Sequence, residues 1–388
     1  MTGPGVALDP ATAPLPEPGA VTPARDQRVF VASQWQLTWW RFRKHRMAVL
    51  SGLVVIGFYM VVLGADFLAY ADPNDSEAQR SLMPPQAIHW FEGWRLRPHV
   101  YAVKGARDLQ SFRRVYQADP NQKFAVRFFA QGFEYRLFGL IPTSRHLIGV
   151  DGGRQASQTI FVLGTDVQGR DVWSRLVYGT RISLTIGLVG VTMSLVLGVV
   201  LGGLSGFYGG LADTVIQRVI EILRSIPTIP LWMGLAAALP RHWTILQVYF
   251  AITIIISLLA WTELARVVRG RFLSLREEDF VVSARLVGCS QMRTIFVHMV
   301  PSFMSHIIAA TTLALPAMII SETALSFLGL GLRPPAISWG VLLQQAQNVQ
   351  TVAISPWLML PAVPVIVAVM AFNFLGDGLR DAADPYGR

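Results

Sequence analysis

The stretch ISLTIGLVGVTMSLVLGVVLGGL at residues 182–204 contains no Asp, Glu, Lys or Arg, and it exceeds the roughly 20 residues that an α-helix needs to cross a bilayer core. A helix apolar on every side is stable only where protein or lipid replaces water around it. Residues 299–320 and 352–375 are equally free of charge, as are 245–262 and, nearer the N-terminus, 47–65. Over all 388 residues 52% are hydrophobic and 15% charged, against about a quarter charged in an average soluble domain. These patterns predict an all-α membrane protein and exclude a soluble globular enzyme.

A sixth span is predicted over 212–239. Its second half is apolar, while its first half carries Asp213, Arg218, Glu221 and Arg224. The last three stand three apart, share a helical face and can pair. A charge at mid-bilayer costs roughly 2.5–3.5 kcal/mol on insertion scales, so this face is expected at the cytoplasmic end, with a kink permitted at Pro227 and Pro230. Glu263 falls where the helix over 245–262 is expected to leave the core.

Arg41, Arg43, Lys44 and Arg46 precede the first span and place the N-terminus in the cytoplasm. Six spans return the C-terminus, with Arg380 and Arg388, to the same side. They also place the Arg-rich connection 266–298 there (Arg266, Arg269, Arg271, Arg276, Arg285 and Arg293). The predicted localisation is a membrane, crossed several times, with both termini cytoplasmic. The net charge of +9 is thus a topology signal, and nucleic acid is not an expected partner.

The predicted organisation is a Pro-rich disordered cytoplasmic tail at 1–26, an interfacial helix with the first span at 27–70, and an extracytoplasmic insert at 71–180. A five-helix transmembrane domain follows at 181–379, its coupling connection at 266–301, then a tail at 380–388. Trp35, Trp39, Trp40 and Phe42, interleaved with basic residues, read as an interfacial helix at the lipid headgroups. Inside the insert, 123–130 alternates apolar and polar residues, and Gln131-Gly132 separates it from 133–140, which predicts a β-hairpin. His89, Trp90, Phe91 and Trp94 read as the core of a small folded unit. Asp166, Arg170, Asp171 and Arg175 stand at helical intervals, with Arg181 beyond, and predict an ion-pair network at the membrane surface. Gly187, Gly190, Gly198, Gly202, Gly203 and Gly206 predict close helix packing.

Of the 33 basic residues only Lys44, Lys104 and Lys123 are lysine. None lies between Gly and Ser or Thr, so the chain has no Walker A phosphate loop; any ATP-driven movement needs another chain to hydrolyse ATP. Cys289 is the single cysteine, which excludes an internal disulfide and a multi-cysteine metal site. An ion-coupled secondary transporter predicts carboxylates within several spans and internal symmetry, and neither is visible. A membrane-embedded hydrolase needs more than Ser302 and His306 four residues apart, and no zinc or nucleophile-elbow motif accompanies them.

Residues 273–301 read LSLREEDFVVSARLVGCSQMRTIFVHMVP: a helical run containing Ala284 and Arg285, a break at Gly288, a second short helix, and Pro301 where the next span begins. This connection resembles the EAA motif of permease subunits in bacterial ABC importers. Glu-Ala-Ala of that pattern falls on Val282, Ser283 and Ala284, its Gly on Gly288, and its closing Ile-x-Leu-Pro on 298–301. Val282 and Ser283 depart from it.

LGTDVQGRDVWSRLVYGTRISL at 163–184, GFYGG at 206–210, SETALSFLGLGLRPPAISWG at 321–340 and FNFLGDGLRDAADP at 372–385 narrow the resemblance to the C-type permease of dipeptide, oligopeptide and nickel importers. It covers about residue 35 to the end, except 76–160, which is longer than usual in that family.

The resemblance implies a type I ABC importer permease fold in a bacterial inner membrane, a non-catalytic chain and alternating access. The expected partners are a second permease subunit, two ATP-binding subunits that hold ATP and Mg, an extracytoplasmic solute-binding protein and lipid, with no cofactor in this chain. Peptides are the expected cargo, with oligosaccharides or nickel as alternatives. Ser283, Ala284, Arg285, Gly288 and Pro301 are the expected ATPase-coupling residues. Glu322 and Asn373 are candidates for a translocation path or gate.

Overall fold

The computed structural model describes residues 34–107, 109, 114–150, 160–240 and 242–383. The predicted tail at 1–26 and Arg388 lie outside them. In chain order, α1 (Gln34–Lys44) leads into α2 (Arg46–Leu63) and the single turn α3 (Ala65–Leu68). Strands β1 (His89–Glu92), β2 (Arg95–Arg107), β3 (Arg114–Leu137) and β4 (Ile141–Val150) follow. The helical body comprises α4 (Val172–Tyr208), α5 (Gly210–Ser225), α6 (Thr228–Ala237), α7 (Ile245–Leu275), α8 (Asp279–Leu286), α9 (Met304–Phe327), α10 (Trp339–Gln344), α11 (Val349–Ile354) and α12 (Ala362–Ala383).

Among the described residues, five helical segments are long and apolar enough to cross a membrane: α2, α4, α7, α9 and the run 356–382 containing α12. The sixth predicted span is broken. The bend of 88° between α5 and α6 falls at Ile226-Pro227, where Pro227 has no N–H to continue the helix and restrains the residue before it; Pro230 is tolerated in the first turn of α6. The charged half stays on α5, where Arg218 pairs with Glu221 at 2.8 Å and Arg224 reaches across to Glu263. The last predicted span, 352–375, is likewise interrupted: Pro356 opens a short 3-10 turn over Pro356–Met359, and α12 begins only at Ala362.

Helices α4 and α7 form the central pair. Gly198, Gly202 and Gly206 stand four apart along one face of α4, and a methyl group added at them would meet Leu264, Ala265 and Phe272 of α7 at 2.5–2.9 Å. The expected glycine packing is therefore observed, and it lets α4 and α7 approach closely. Helix α4 begins at Val172, earlier than the predicted boundary at 181, because Asp171 caps it: its carboxylate accepts from the Ser174 N–H at 2.7 Å.

The insert contains one antiparallel sheet in the order β1-β2-β3-β4. The predicted hairpin turn at Gln131-Gly132 is wrong. Strand β3 runs through it, pairing with β2 over 114–125 and with β4 over 126–137, and a register shift lies between Gln131 and Tyr135. The reversal occurs at Phe138-Gly139, both at positive φ. A bulge and a turn recruit the same residue types, so Gln-Gly alone does not distinguish them. The aromatic core reading also fails: His89, Trp90, Phe91 and Trp94 are all exposed. The buried residues here are Val100, Val150 and Ile160, packed with Tyr70, Ile88 and Phe124.

The insert is bolted to the end of the bundle by polar contacts. Asp166 lies in a loop, not on a helix, yet Arg170 binds it at 2.7 Å and Arg175 approaches at 3.6 Å. The predicted ion-pair network is therefore present in part: Asp166, Arg170 and Arg175 meet through a tight turn instead of helical spacing, while Asp171 accepts from the Ser174 N–H and the Tyr70 hydroxyl. Arg181 pairs separately with Asp66 at 2.8 Å. Burial pushes the Asp66 carboxyl up, but hydrogen bonds from Arg181 and Tyr178 outweigh it and hold its pKa below the ordinary value.

Asp171, fully buried and accepting from the Tyr70 hydroxyl at 2.9 Å, goes the other way. Burial raises it to about 6, against the pull of its bonds from Ser174 and Tyr70. A raised carboxyl pKa means that the folded state binds more protons than the unfolded one between the ordinary value and about pH 6. Asp171 thus makes the fold more stable as pH falls through that window. Asp171→Asn keeps a helix cap and should remove this rise, so thermal melts of the two proteins should diverge by an amount on the order of 2 kcal/mol between pH 7 and 4. Parallel melting profiles for the two proteins would contradict the assignment.

Candidate functional site

The end of the bundle remote from the sheet is built by the C-terminus of α4, the last turns of α7, helix α8 and the start of α9. Residues 266–275, read from the sequence as part of the connection, instead extend α7 beyond its apolar stretch. Arg269 explains why the charged extension holds. Its Nε and Nη2 donate to the two carboxylate oxygens of Asp213 at 2.5 and 2.6 Å, and Ser205 donates to the same carboxylate. Sequence reading noted both charges but could not pair them, since they are far apart in the chain.

Helix α8 ends as its sequence demands. Gly288 lies at φ +83°, a left-handed conformation in which a side chain is strained. Its N–H donates to the Arg285 carbonyl and that of Cys289 to the Ala284 carbonyl, each at 3.0 Å. This pair of bonds is a Schellman stop, so the backbone groups of Ala284 and Arg285 are used in closing the helix. Ser290 then caps the next turn through Arg293, and the chain passes through a wide π-type turn over Thr294–Met299. Pro301 is exposed in the short turn Val300–Ser302, just before α9.

One face of this protrusion is anchored. Val281 is fully buried in a cluster with Phe207 of α4, Val268 and Phe272 of α7, and Ile295, Met299, Phe303 and Ile307. The Arg285 guanidinium lies 4.7 Å from the centre of the Phe207 ring, a cation–π contact. The other face is bare. Leu286 and Val287 are 83% and 84% exposed, with Val282, Met292, Phe296 and Val297 exposed around them. Ser283 is exposed and Ala284 half-buried. The structure therefore brings Ser283, Ala284, Arg285 and Gly288 into one knob, and adds Leu286 and Val287, which sequence reasoning did not single out. Consecutive apolar residues immediately before a helix-stopping glycine were the available signal.

Glu322 and Asn373 do not form one site. Glu322 is fully buried inside the body, before the end of α9. It accepts from the Ser326 hydroxyl at 2.8 Å and the Ser183 hydroxyl at 3.2 Å. Those serines in turn accept from the Leu332 and Trp339 N–H groups, each at 3.1 Å. Glu322 therefore ties α4 and α9 to the loop that carries α10. Asn373 is exposed on α12, on the same face as Ile366, Met370, Asp377 and Arg380. Among the described residues no group of His, Cys, Asp and Glu is placed to hold a metal ion.

Comparison with known proteins gives this arrangement a family. Residues 198–386 match the binding-protein-dependent transport system inner membrane component, and residues 33–85 match the N-terminal transmembrane domain of oligopeptide transport permease C. The chain is 36% identical over 223 residues to an oligopeptide transport system permease protein of Bacillus subtilis, covering 57% of this chain and 70% of that one. It is 38% identical over 226 residues to the Haemophilus influenzae protein of the same name, covering 58% and 70%. A dipeptide transport system permease protein of Alkalihalophilus pseudofirmus is 27% identical over 373 residues, 96% of each chain, so that relative is of similar length. Among solved structures, the inward-facing methionine ABC transporter MetNI aligns over 54% of this chain and 96% of its own, at 20% identity and a TM-score of 0.41. With two stretches matching the family's parts in order, and relatives above 30% identity over most of their own length, the chain belongs to the permease family of binding-protein-dependent ABC importers.

Proposed function

We propose that this chain is one of two permease subunits of a peptide importer, with two ATP-binding chains docked on the cytoplasmic end and a solute-binding protein delivering cargo to the insert side. ATP and Mg belong to those partner chains. Both termini then lie in the cytoplasm, in keeping with the basic residues of α1 and of the connection after α7. The names of the sequence relatives, oligopeptide and dipeptide permeases, support peptides as cargo.

The observation that carries this reading is the knob at 283–288: an apolar surface, exposed in the single chain, on a helix whose opposite face is packed into α4, α7 and the start of α9. Bare leucine and valine at the tip of a helix suit an apolar cleft in another protein. A push on α8 passes through Val281 and Arg285 to Phe207, Phe272 and Phe303, and so to three spans at once. Ser283, Ala284, Arg285, Gly288 and Pro301 shape the knob. On this reading Glu322 fixes the α10 loop against α4 and α9, a positioning role at a gate, while the exposed α12 face with Asn373 meets the second permease or the pathway between them.

The test is uptake of labelled di- and oligopeptides into vesicles that hold all four membrane-associated chains and the binding protein. ATP-dependent accumulation that ceases when the ATP-binding chains are omitted is expected. Accumulation by this polypeptide alone, or with no dependence on ATP, would end the proposal.

A further inference from the structure

The insert carries two hairpin tips of exposed apolar side chains. One is Trp90, Phe91, Trp94 and Leu96 around the turn between β1 and β2; the other is Phe138, Leu140 and Ile141 at the turn between β3 and β4. All seven are exposed, and Trp94 wholly so. Side chains of this size at two turns on the same end of the sheet are costly in water and need an occupant.

Their direction follows from contacts along one line. Tyr70 lies level with the start of α4, through its bond to Asp171. Asp66 lies level with Arg181, about 15 Å further along α4 toward the membrane at 1.5 Å per residue. Strand β4 tracks that same descent: Val150 belongs to the apolar cluster against which Tyr70 packs, while the His146 ring reaches the Asp66 carbonyl at 3.1 Å, roughly 13 Å down the strand. Phe129 meets Phe67 in the same region, ring centres 6.0 Å apart. Beyond His146 the strand continues to Ile141, about 16 Å further at strand rise. Asp66 itself lies just past the end of α2 at Leu63. The β3–β4 tip therefore points into the leaflet beside α2, whose own surface is mostly exposed and apolar.

Strand β2, read from Val100 back to Arg95, runs in the same direction, because both it and β4 are antiparallel to β3. Its Trp94 tip stops sooner, near the level of Asp66. Tryptophan at headgroup depth and aliphatic side chains deeper is the order a lipid interface selects. Arg95, Arg136 and Arg145 are exposed beside the tips, with Glu92 and Glu134 as the nearby acids, and long arginine stems can carry their charge back to the headgroups.

We infer that the two hairpin tips of the insert are a membrane anchor, seated in the leaflet on the insert side against α2, with lipid as the occupant. The anchor holds the sheet at a fixed tilt over that end of the bundle. It depends on α2 crossing the membrane and is independent of what the protein carries.

The test uses the full chain in vesicles of phosphatidylcholine and phosphatidylglycerol, with Cys289→Ser so that one introduced cysteine carries an environment-sensitive fluorophore. At Phe138→Cys the label should emit to the blue and be quenched by nitroxide lipids as strongly as a label at Met60→Cys on the exposed face of α2. At Leu109→Cys, exposed at the opposite end of the sheet, it should emit as in water and respond only to a soluble quencher. All three positions are exposed, so the substitutions leave the core untouched. Identical behaviour at 138 and 109 overturns the anchor. Shielding at 138 that develops only after a solute-binding protein is added also overturns it, and gives the surface to a protein.

Discussion

Leu286→Asp combined with Val287→Asp is expected to abolish ATP-driven uptake while leaving this chain folded in the membrane. Both side chains are exposed in the single chain, so the substitutions remove no internal contact. Burying a leucine or valine in a partner's cleft contributes about 1.5–3 kcal/mol each, and an unpaired carboxylate forced into the same cleft opposes docking further. Even the smaller figure for both, about 3 kcal/mol, weakens attachment of the ATP-binding chains roughly 100-fold. Co-purification of those chains, together with uptake in vesicles, reads the effect. Retained co-purification with normal uptake would show that the knob is not the docking surface. Gly288→Val should act in the same direction through the backbone: nothing lies within 4 Å of its missing side chain, so its cost is the left-handed φ alone, and the Schellman stop is what it loses.

The second large effect is expected at Gly202. A Cβ there would lie 2.5 Å from the carbonyl oxygen of Ala265 and 2.9 Å from its Cα, and a backbone cannot rotate aside as a side chain can. Overpacking costs about 1–3 kcal/mol and more when the obstructed neighbour is fixed. Gly202→Leu should therefore separate α4 from α7 and lower the yield of folded protein in mild detergent, with a fall in thermal midpoint of several degrees. Gly57→Leu is the matched control, since nothing lies within 4 Å of that position on α2. Equal yields and midpoints for the two variants would mean that the α4–α7 contact does not govern stability.

The two predictions draw on different sources of information. The glycine ladder on α4 was legible in the sequence, because spacing by four on an apolar span already means close helix contact. The knob was legible only as a motif. That Gly288 stops a helix follows from its lack of a side chain, but that Leu286 and Val287 are left bare follows from Val281, Ile295 and Met299 taking all the space under α8. In the insert, local signals misled. Gln131-Gly132 resembled a turn and is part of a bulged strand; the Trp90–Trp94 aromatics resembled a core and are surface. Aromatic residues suit a core and a lipid interface equally well, and only the direction of the strands separates the two.

Some properties needed nothing beyond the order of residues. Charge-free runs of spanning length specify transbilayer helices because lipid offers no partner for a bare peptide group. Which charges meet was decided by tertiary structure alone. Asp213 and Arg269, Asp66 and Arg181, and Glu322 and Ser183 lie far apart in the chain and on different elements, and each pairing depends on how those elements pack. Hydropathy is a local sum and survives in the sequence; pairing is a distance between helices and exists only once they are packed.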